Sequence, residues 1–374
     1  MRILHLITRM DGGGSAVNTL TCATEQQHRG HEAVLAFGPS LESEMSGQEH
    51  SRVDEGLREF RDAGGRIETV EALRRRPGLH DWQAYRQIYR LLKPGFDIVH
   101  THTSKAGALG RLAAAGRTKV VHTPHGHIFH SYFGSVATYF FVLVERWLAG
   151  RTDALIALTA AERDDHLRLG IGTDSQWHVV PSGVDVAGIA ERVAEHRKAS
   201  ETTWDAVSVG RLVPIKGVDR LLRAWAVVCR QKPHARLAIV GDGPECDKLQ
   251  AMCNTLNIQD NVHFAGWDNP VSYLAQARCF CLLSHNEGMG RAVVEAFAAS
   301  LPCVVANVCG LCELIDDNVG ACVDADDKEE VARALLRDWG DEVRRAARAR
   351  ADHYSVKAMM KGVQQVYEQV LEDA

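Results

Sequence analysis

Phe280-Cys-Leu-Leu-Ser284-His-Asn-Glu287-Gly-Met-Gly-Arg291-Ala-Val-Val-Glu295-Ala-Phe297 is the stretch on which the reading of this chain turns. An apolar run ends, a glycine-bearing turn follows, and a helical pattern begins. Strand, turn and helix in that order form the repeating unit of parallel α/β sheets. The same alternation runs through the whole chain. In the first half it predicts strands at 2–7, 33–37, 97–101, 119–123, 154–158 and 178–180. Helices are predicted between them at 16–29, 82–92, 105–115 and 132–148. In the second half strands are predicted at 206–209, 236–240, 262–264, 280–283 and 303–305. The helices there are 217–230, 246–256, 291–300 and 328–338.

Two such halves fit a length of 374 residues, which is long for one domain and comfortable for two. Between them lies Pro181-Ser-Gly-Val-Asp185, followed by a polar, charged stretch up to Trp204. The expected division is therefore an N-terminal domain over 1–180 and a C-terminal domain over 181–354. A long amphipathic helix closes the chain within 355–374 and is expected to pack back on the first domain. The fold class is α/β, with two Rossmann-like doubly wound domains facing a central cleft. Ligands bind at the carboxyl ends of such sheets, where helix N-termini point into the crevice.

Composition narrows the function. The net charge of −5 gives no reason to expect nucleic acid as a partner. Residues 1–180 carry 21 Lys/Arg against 20 Asp/Glu, and the remainder 22 against 28. The first part also holds 13 of the 18 histidines. No run of apolar residues is long enough to span a membrane, and the start does not read as a signal peptide. Ten cysteines in a chain of this length do not suggest a secreted disulfide scaffold. Cys279, Cys281, Cys303 and Cys322 sit in apolar runs and are expected to pack as reduced thiols. These features together imply a cytoplasmic protein.

Within the opening stretch, Glu287 stands just before the helix and Glu295 inside it. Eight helical steps would separate them by roughly 12 Å and a turn of about 800°, leaving both on one broad side. The exposed N–H groups of the helix start suit a diphosphate. Carboxylates repel phosphate but accept hydrogen bonds from hydroxyls. The pair therefore suits a diphosphate flanked by hydroxyl-bearing groups. A surface helix with ordinary acids is the plain alternative, weakened for Glu295 by its Ala, Val and Phe neighbours. A second motif, Val209-Gly210-Arg211-Leu-Val-Pro-Ile-Lys216-Gly217, delivers two cations into a strand-to-helix turn. They could neutralise a leaving diphosphate. No convincing metal site is found, so no metal is expected.

Gly12-Gly13-Gly14 follow the first strand and would let backbone approach a ligand. No acid stands at the end of the second strand (Leu35-Ala-Phe-Gly), which argues against NAD. His100-Thr-His102 and His122-Thr-Pro-His125-Gly-His127 end two strands of the first domain. Such histidines could bind a sugar hydroxyl or shuttle a proton. Core packing is the expectation for His100 and His122, and zinc is the minor rival. Cys309-Gly-Leu-Cys312 looks like a redox pair but is read as a packing and turn element.

These motifs resemble glycosyltransferase family 4, a retaining group of GT-B fold. The matching segments run nearly end to end and include Val180-Pro-Ser-Gly-Val-Asp185, Val240-Gly-Asp-Gly-Pro-Glu245 and the Glu287-x7-Glu295 element. The resemblance implies a hexosyltransferase using a nucleotide-diphosphate sugar, a UDP-sugar by expectation. Arg211 and Lys216 would contact the diphosphate, in the loop opened by Gly210. Glu287 would face the sugar, and Gly288, Met289 and Gly290 would offer backbone groups. Arg291 would start the helix and Glu295 would bind the ribose. The base would lie near Val262, His263 and Phe264. His125 would approach the reacting centre, with Gly13 and Gly14 lining the cleft.

Two departures stand out. Cys309-Gly310-Leu-Cys312-Glu313 replaces a common glycine pair before Glu, and Met289 replaces a common aromatic. Residues 125–134 resemble the polysaccharide-building branch, whose acceptors are often polyprenyl-linked or other glycan precursors. That branch, the positive balance of the first domain and Arg74-Arg-Arg76 are compatible with peripheral contact at the inner face of the plasma membrane, although a solvated loop is the preferred reading of the arginine run. The competing readings are a sugar-nucleotide 2-epimerase and a non-catalytic sugar-nucleotide-binding subunit.

Overall fold

The computed structural model describes residues 1–374 apart from 41–44, 46, 127–134, 200–202 and 373–374. The chain divides into two compact units, Met1–Gly183 with Met359–Ala374, and Val184–Ala358. Each is built on one sheet.

The first sheet comprises β1 (Arg2–Arg9), β2 (Glu32–Gly38), β3 (Arg66–Thr69), β4 (Ile98–His102), β5 (Lys119–Thr123), β6 (Ala154–Ala157) and β7 (Trp177–Val179). Their spatial order is β3-β2-β1-β4-β5-β6-β7, and every pairing is parallel. The second comprises β8 (Trp204–Val209), β9 (Leu237–Val240), β10 (Val262–Gly266), β11 (Ala277–Leu282), β12 (Cys303–Ala306) and β13 (Gly320–Val323). Its order is β10-β9-β8-β11-β12-β13, again all parallel. In both sheets the order reverses beside the first strand of the unit, between β1 and β4 and between β8 and β11. That is where a doubly wound sheet opens its crevice.

The central strands are rich in buried apolar residues because helices cover both faces. Ile3, Leu4, Leu6 and Ile7 of β1 are all buried. The helix Val218–Gln231 shows the complementary pattern, burying Val218, Leu221, Leu222, Trp225 and Val228 on one stripe. Two strands escaped the sequence reading, β3 and β13. Both lie at a sheet edge and are four residues long, so half-solvated side chains blur their pattern. Val186–Ala199 is a helix belonging to the second unit, and it buries Val186, Ile189 and Val193.

The final helix spans Val356–Glu372. Its Tyr367 is fully buried in the first unit, and Gly362 lies so close to Val180 that a Cβ would press on that side chain. The predicted helix at 132–148 is seen as Ser135–Ala149, with 132–134 outside the described residues. Among the described residues no helix is long and apolar enough to cross a membrane.

Candidate active site

In the second unit β8 and β11 are neighbours, so their carboxyl-end loops meet. β8 releases Gly210 and Arg211, then a 3-10 turn at Pro214–Lys216. Gly217 follows at φ 60°, in the left-handed region, and a Cβ there would run into the Leu283 carbonyl. Glycine is therefore required for the Lys216 turn to lie against the end of β11. A backbone bond from His285 N to Ile215 O, 2.8 Å, ties the two loops together.

This contact sets the central feature. The Lys216 ammonium donates to Glu287 Oε1 in an ion pair, and Ser284 Oγ donates to the same oxygen at 2.8 Å. The Ser284 side chain is wholly buried, and the carboxylate is mostly so. A buried carboxylate needs such partners, and here a cation and a hydroxyl supply them. Beyond Glu287 the chain turns through Gly290 at φ 71° into the helix Arg291–Ala298. Burial pushes the Arg291 guanidinium below its ordinary value, and the Glu295 carboxylate, one turn on, opposes that shift.

The cysteine loop closes the site from the other side. Gly310 sits at φ 84°, where a Cβ would strike the Glu287 carbonyl. One glycine thus suffices where a pair was the common pattern. The cysteine pairing differs from expectation. Cys312 forms a disulfide with Cys322 of β13, at a Cα separation of 5.7 Å. Cys322 is therefore not a reduced apolar thiol. β13 is a four-residue edge strand whose half-buried pattern does not announce it in the sequence, and its pairing with β12 is what brings Cys322 to the loop.

In the first unit the loop after β1 carries Gly12 and Gly13, and Gly14 opens the next helix. Asp11 Oδ1 accepts from Gly13 N at 3.0 Å, and Arg9 holds the other carboxylate oxygen at 2.7 Å. Gly13 is the residue capping the helix Gly14–His28. At the adjacent ends of β4 and β5 the histidines gather. His125 lies at φ 64°, unusual for a residue with a side chain. Its neighbour Gly126 donates its N–H to Glu162 Oε1 at 2.7 Å, while Leu158 N donates to the other oxygen at 2.7 Å. Glu162 is fully buried and pins this backbone.

Behind His125, His102 Nδ1 lies 2.9 Å from His125 Nε2, and His102 Nε2 lies 3.0 Å from His5 Nδ1. Burial holds His5 down at about 4 and pushes His100 and His102 well below the ordinary imidazole value, with the neighbouring rings adding to the shift for the last two. Ring nitrogens of His5, His100 and His102 lie within 4.8 Å of one another, close enough for an ion. All six nitrogens of these rings already face a protein hydrogen-bonding partner, namely His102 and Gln26 for His5, Tyr367 and Thr123 for His100, and His5 and His125 for His102.

Comparison with known proteins agrees with this architecture. Residues 13–183 match the glycosyl transferase 4-like domain, and residues 191–354 match glycosyl transferases group 1. Over 279 residues the chain is 30% identical to the UDP-Gal:alpha-D-GlcNAc-diphosphoundecaprenol alpha-1,3-galactosyltransferase of Escherichia coli, covering 71% of this chain and 72% of that protein. It belongs to the family 4-type glycosyltransferases of GT-B fold.

This glycosyltransferase is also 30% identical, over 75% of its length and 72% of the relative's, to the D-inositol 3-phosphate glycosyltransferase of Saccharomonospora viridis. Among solved structures, HepE of Anabaena in complex with UDP superposes with a TM-score of 0.79 at 20% identity, covering 99% of this chain and 100% of that one. Sucrose-phosphate synthase of Thermosynechococcus elongatus gives 0.79 at 20% identity, with both chains fully covered. The epimerase and scaffold readings are not favoured, since these relatives are named as transferases.

The glycosyltransferase brings together most residues that the sequence singled out in its second unit. Gly210, Arg211, Lys216, Glu287, Gly288, Met289, Gly290, Arg291 and Glu295 all lie on the loops and helix start at the carboxyl ends of β8 and β11. Met289 is buried. Val262, His263 and Phe264 lie on the edge strand β10. The His263 ring stacks on Trp204, the first residue of β8, at 5.4 Å. Gly13, Gly14 and His125 belong to the first unit. His127 and the rest of 127–134 lie outside the described residues. Ser284, Glu162, Gln26, Tyr367 and His5 were missed. Ser284, three residues before Glu287, carried a local signal; the other four are brought in only by tertiary packing.

Proposed function

We propose that this enzyme transfers a hexosyl group, with retention, from a UDP-sugar to a hydroxyl of a lipid-linked or other glycan precursor in cell-surface polysaccharide synthesis. The observation that carries the reading is the Lys216–Glu287 pair, supported by Ser284 and set beside the helix start at Arg291. A donor entering there meets cations for its diphosphate and a carboxylate for its sugar hydroxyls. Arg211 and Lys216 neutralise the diphosphate as the bond from sugar C1 to phosphate oxygen breaks. The acceptor oxygen bonds C1 on the same face, and its proton passes to the departing phosphate. Gly288, Met289 and Gly290 offer backbone groups, Glu295 takes the ribose, and the base lies by Val262, His263 and Phe264 on β10. Gly13, Gly14 and His125 serve the same donor from the first unit. No metal is required in this scheme.

The UDP assignment draws support from the printed names of relatives and neighbours, which include UDP-galactose for the E. coli enzyme and UDP for HepE. The lipid-linked acceptor draws on the diphosphoundecaprenol in the former name. A cytoplasmic enzyme acting on such an acceptor would work at the inner face of the membrane. Exposed apolar groups of the first unit suit that place. Tyr139, Phe140, Leu143 and Trp147 are exposed on the helix Ser135–Ala149, as are Leu79 and Trp82 near Arg75 and Arg76. The deciding experiment is a panel of UDP-, GDP- and ADP-sugars offered with polyprenyl-diphosphate glycan acceptors. An α-linked product from a UDP-sugar supports the reading. An inverted linkage, or transfer from GDP- or ADP-sugars alone, overturns it.

A further inference from the structure

We propose that Gln26, His5 and His102 form a hydrogen-bonded relay that fixes the ring tautomer of His125, placing the proton on Nε2 and the lone pair on Nδ1. The relay runs from one helix to the site through two strands. Gln26 Oε1 lies 2.7 Å from His5 Nε2, His5 Nδ1 lies 3.0 Å from His102 Nε2, and His102 Nδ1 lies 2.9 Å from His125 Nε2. Gln26, His5 and His102 are at most 1% exposed, so water cannot substitute for a missing partner.

A neutral imidazole has one donor and one acceptor nitrogen. Burial keeps His5 and His102 neutral near pH 7. An amide oxygen can only accept, so His5 donates from Nε2 and accepts at Nδ1. His102 must then donate from Nε2 and accept at Nδ1. His125 must in turn donate from Nε2. The direction of the chain depends on which end of the Gln26 amide faces His5. In the structure the amide nitrogen faces Tyr367, with Gln26 Nε2 3.3 Å from the phenol oxygen, which lies 2.7 Å from His100 Nδ1, so the amide oxygen is the end that faces His5. The phenol proton goes to His100 Nδ1, leaving the phenol oxygen to accept from the amide. His100 then donates from Nε2 to Thr123 Oγ1 at 2.8 Å. The Gln26 amide, the Tyr367 hydroxyl and the His5, His100 and His102 rings each donate to an acceptor along this path.

The consequence concerns substrate chemistry and rests on the placement of His125 at the donor sugar. A ring held with an acceptor Nδ1 suits a sugar hydroxyl that donates a hydrogen bond. Gln26, His5, His102 and Tyr367 are positioning residues that touch no substrate. The left-handed backbone at His125, pinned through Glu162, holds the ring at the end of the relay.

The test is ¹⁵N NMR of histidine-labelled full-length protein at pH 7.5 without donor, in wild type, Gln26→Met and Tyr367→Phe. Tyr367→Phe keeps the buried ring and guards against a variant that fails to fold. The expected wild-type result is a protonated Nε2 and an unprotonated Nδ1 at His125. Both variants should shift it towards a mixture of tautomers. Turnover should fall about five-fold, the worth of one ordinary hydrogen bond, with UDP affinity unchanged. A wild-type His125 protonated on Nδ1, or a tautomer unmoved in both variants, overturns the relay. So does stoichiometric Zn²⁺ that shifts the His5, His100 and His102 rings together. The expected tautomers together with full activity in His125→Ala would support the relay and remove only the role of His125 at the donor.

Discussion

Mild acid should loosen the first unit and spare the second. His5, His100, His102, His122 and His166 are all buried, and all lie in the first unit. Burial lowers each of them, and His5 falls from 6.5 to about 4. The histidines of the second unit, His196, His234, His263, His285 and His353, are exposed. Above pH 6.5 a depressed histidine is neutral in both folded and unfolded chains and contributes no pH dependence. As pH falls through 6.5 the unfolded chain binds a proton that the folded chain refuses, so stability is lost until about pH 4. For His5 alone the total is about 3 kcal/mol, of which roughly 2 kcal/mol is lost by pH 5. The other buried rings add in the same direction. Hydrogen exchange of the β1, β4 and β5 amides, corrected for intrinsic rates, reads the opening free energy directly. Protection there should fall at least about thirty-fold from pH 7.5 to 5, the equivalent of that 2 kcal/mol. Amides of β8 and β11 should lose far less. Equal losses in the two sheets, or imidazoles titrating near 6.5 by NMR, would refute the reasoning that burial keeps these rings neutral.

Further outcomes are expected at the site. Lys216→Ala should weaken UDP binding by ~1.5–3 kcal/mol, the range for a charge-assisted contact, with the lower end favoured because Lys216 must share Glu287; unchanged calorimetric affinity would remove Lys216 from the diphosphate. Glu287→Gln should fold normally and lose most transfer while circular dichroism stays unchanged, whereas full turnover would exclude Glu287 from the sugar site. Transfer should persist in EDTA, and its abolition with rescue by Mn²⁺ or Mg²⁺ would contradict the metal-free scheme. Phe140→Ser and Trp147→Ser should each reduce sedimentation with phosphatidylglycerol vesicles about ten-fold or more, since burying one such side chain is worth roughly 1.5–3 kcal/mol; undiminished sedimentation would place membrane contact elsewhere.

Much of this glycosyltransferase was legible from local pattern. The central strands β1, β4, β5, β8 and β11 are mostly buried and each holds adjacent apolar residues, so their strand character shows in the residues alone. The glycine-bearing turns at Gly217 and Gly290 announce where helices begin, and Arg211, Lys216, Glu287 and Glu295 stand beside them. These signals are short in range, because a strand, its turn and the next helix are contiguous in sequence. What the sequence alone determined was therefore the fold class, two sheets in series and the loops that carry Arg211, Lys216 and Glu287.

Tertiary structure decided the rest. β3 and β13 exist as strands because a neighbour supplies their hydrogen bonds, and the Cys312–Cys322 disulfide depends on β13. Ser284 and Lys216 meet on one oxygen of Glu287 although Lys216 is 71 residues away. Gln26, His5, His102, His125 and Tyr367 converge from four strand or helix segments and one loop, with 341 residues separating Gln26 from Tyr367. No periodicity encodes such a convergence. It follows from the order in which parallel strands assemble, β1 beside β4 and β4 beside β5, which aligns their carboxyl ends and brings distant side chains within hydrogen-bonding reach.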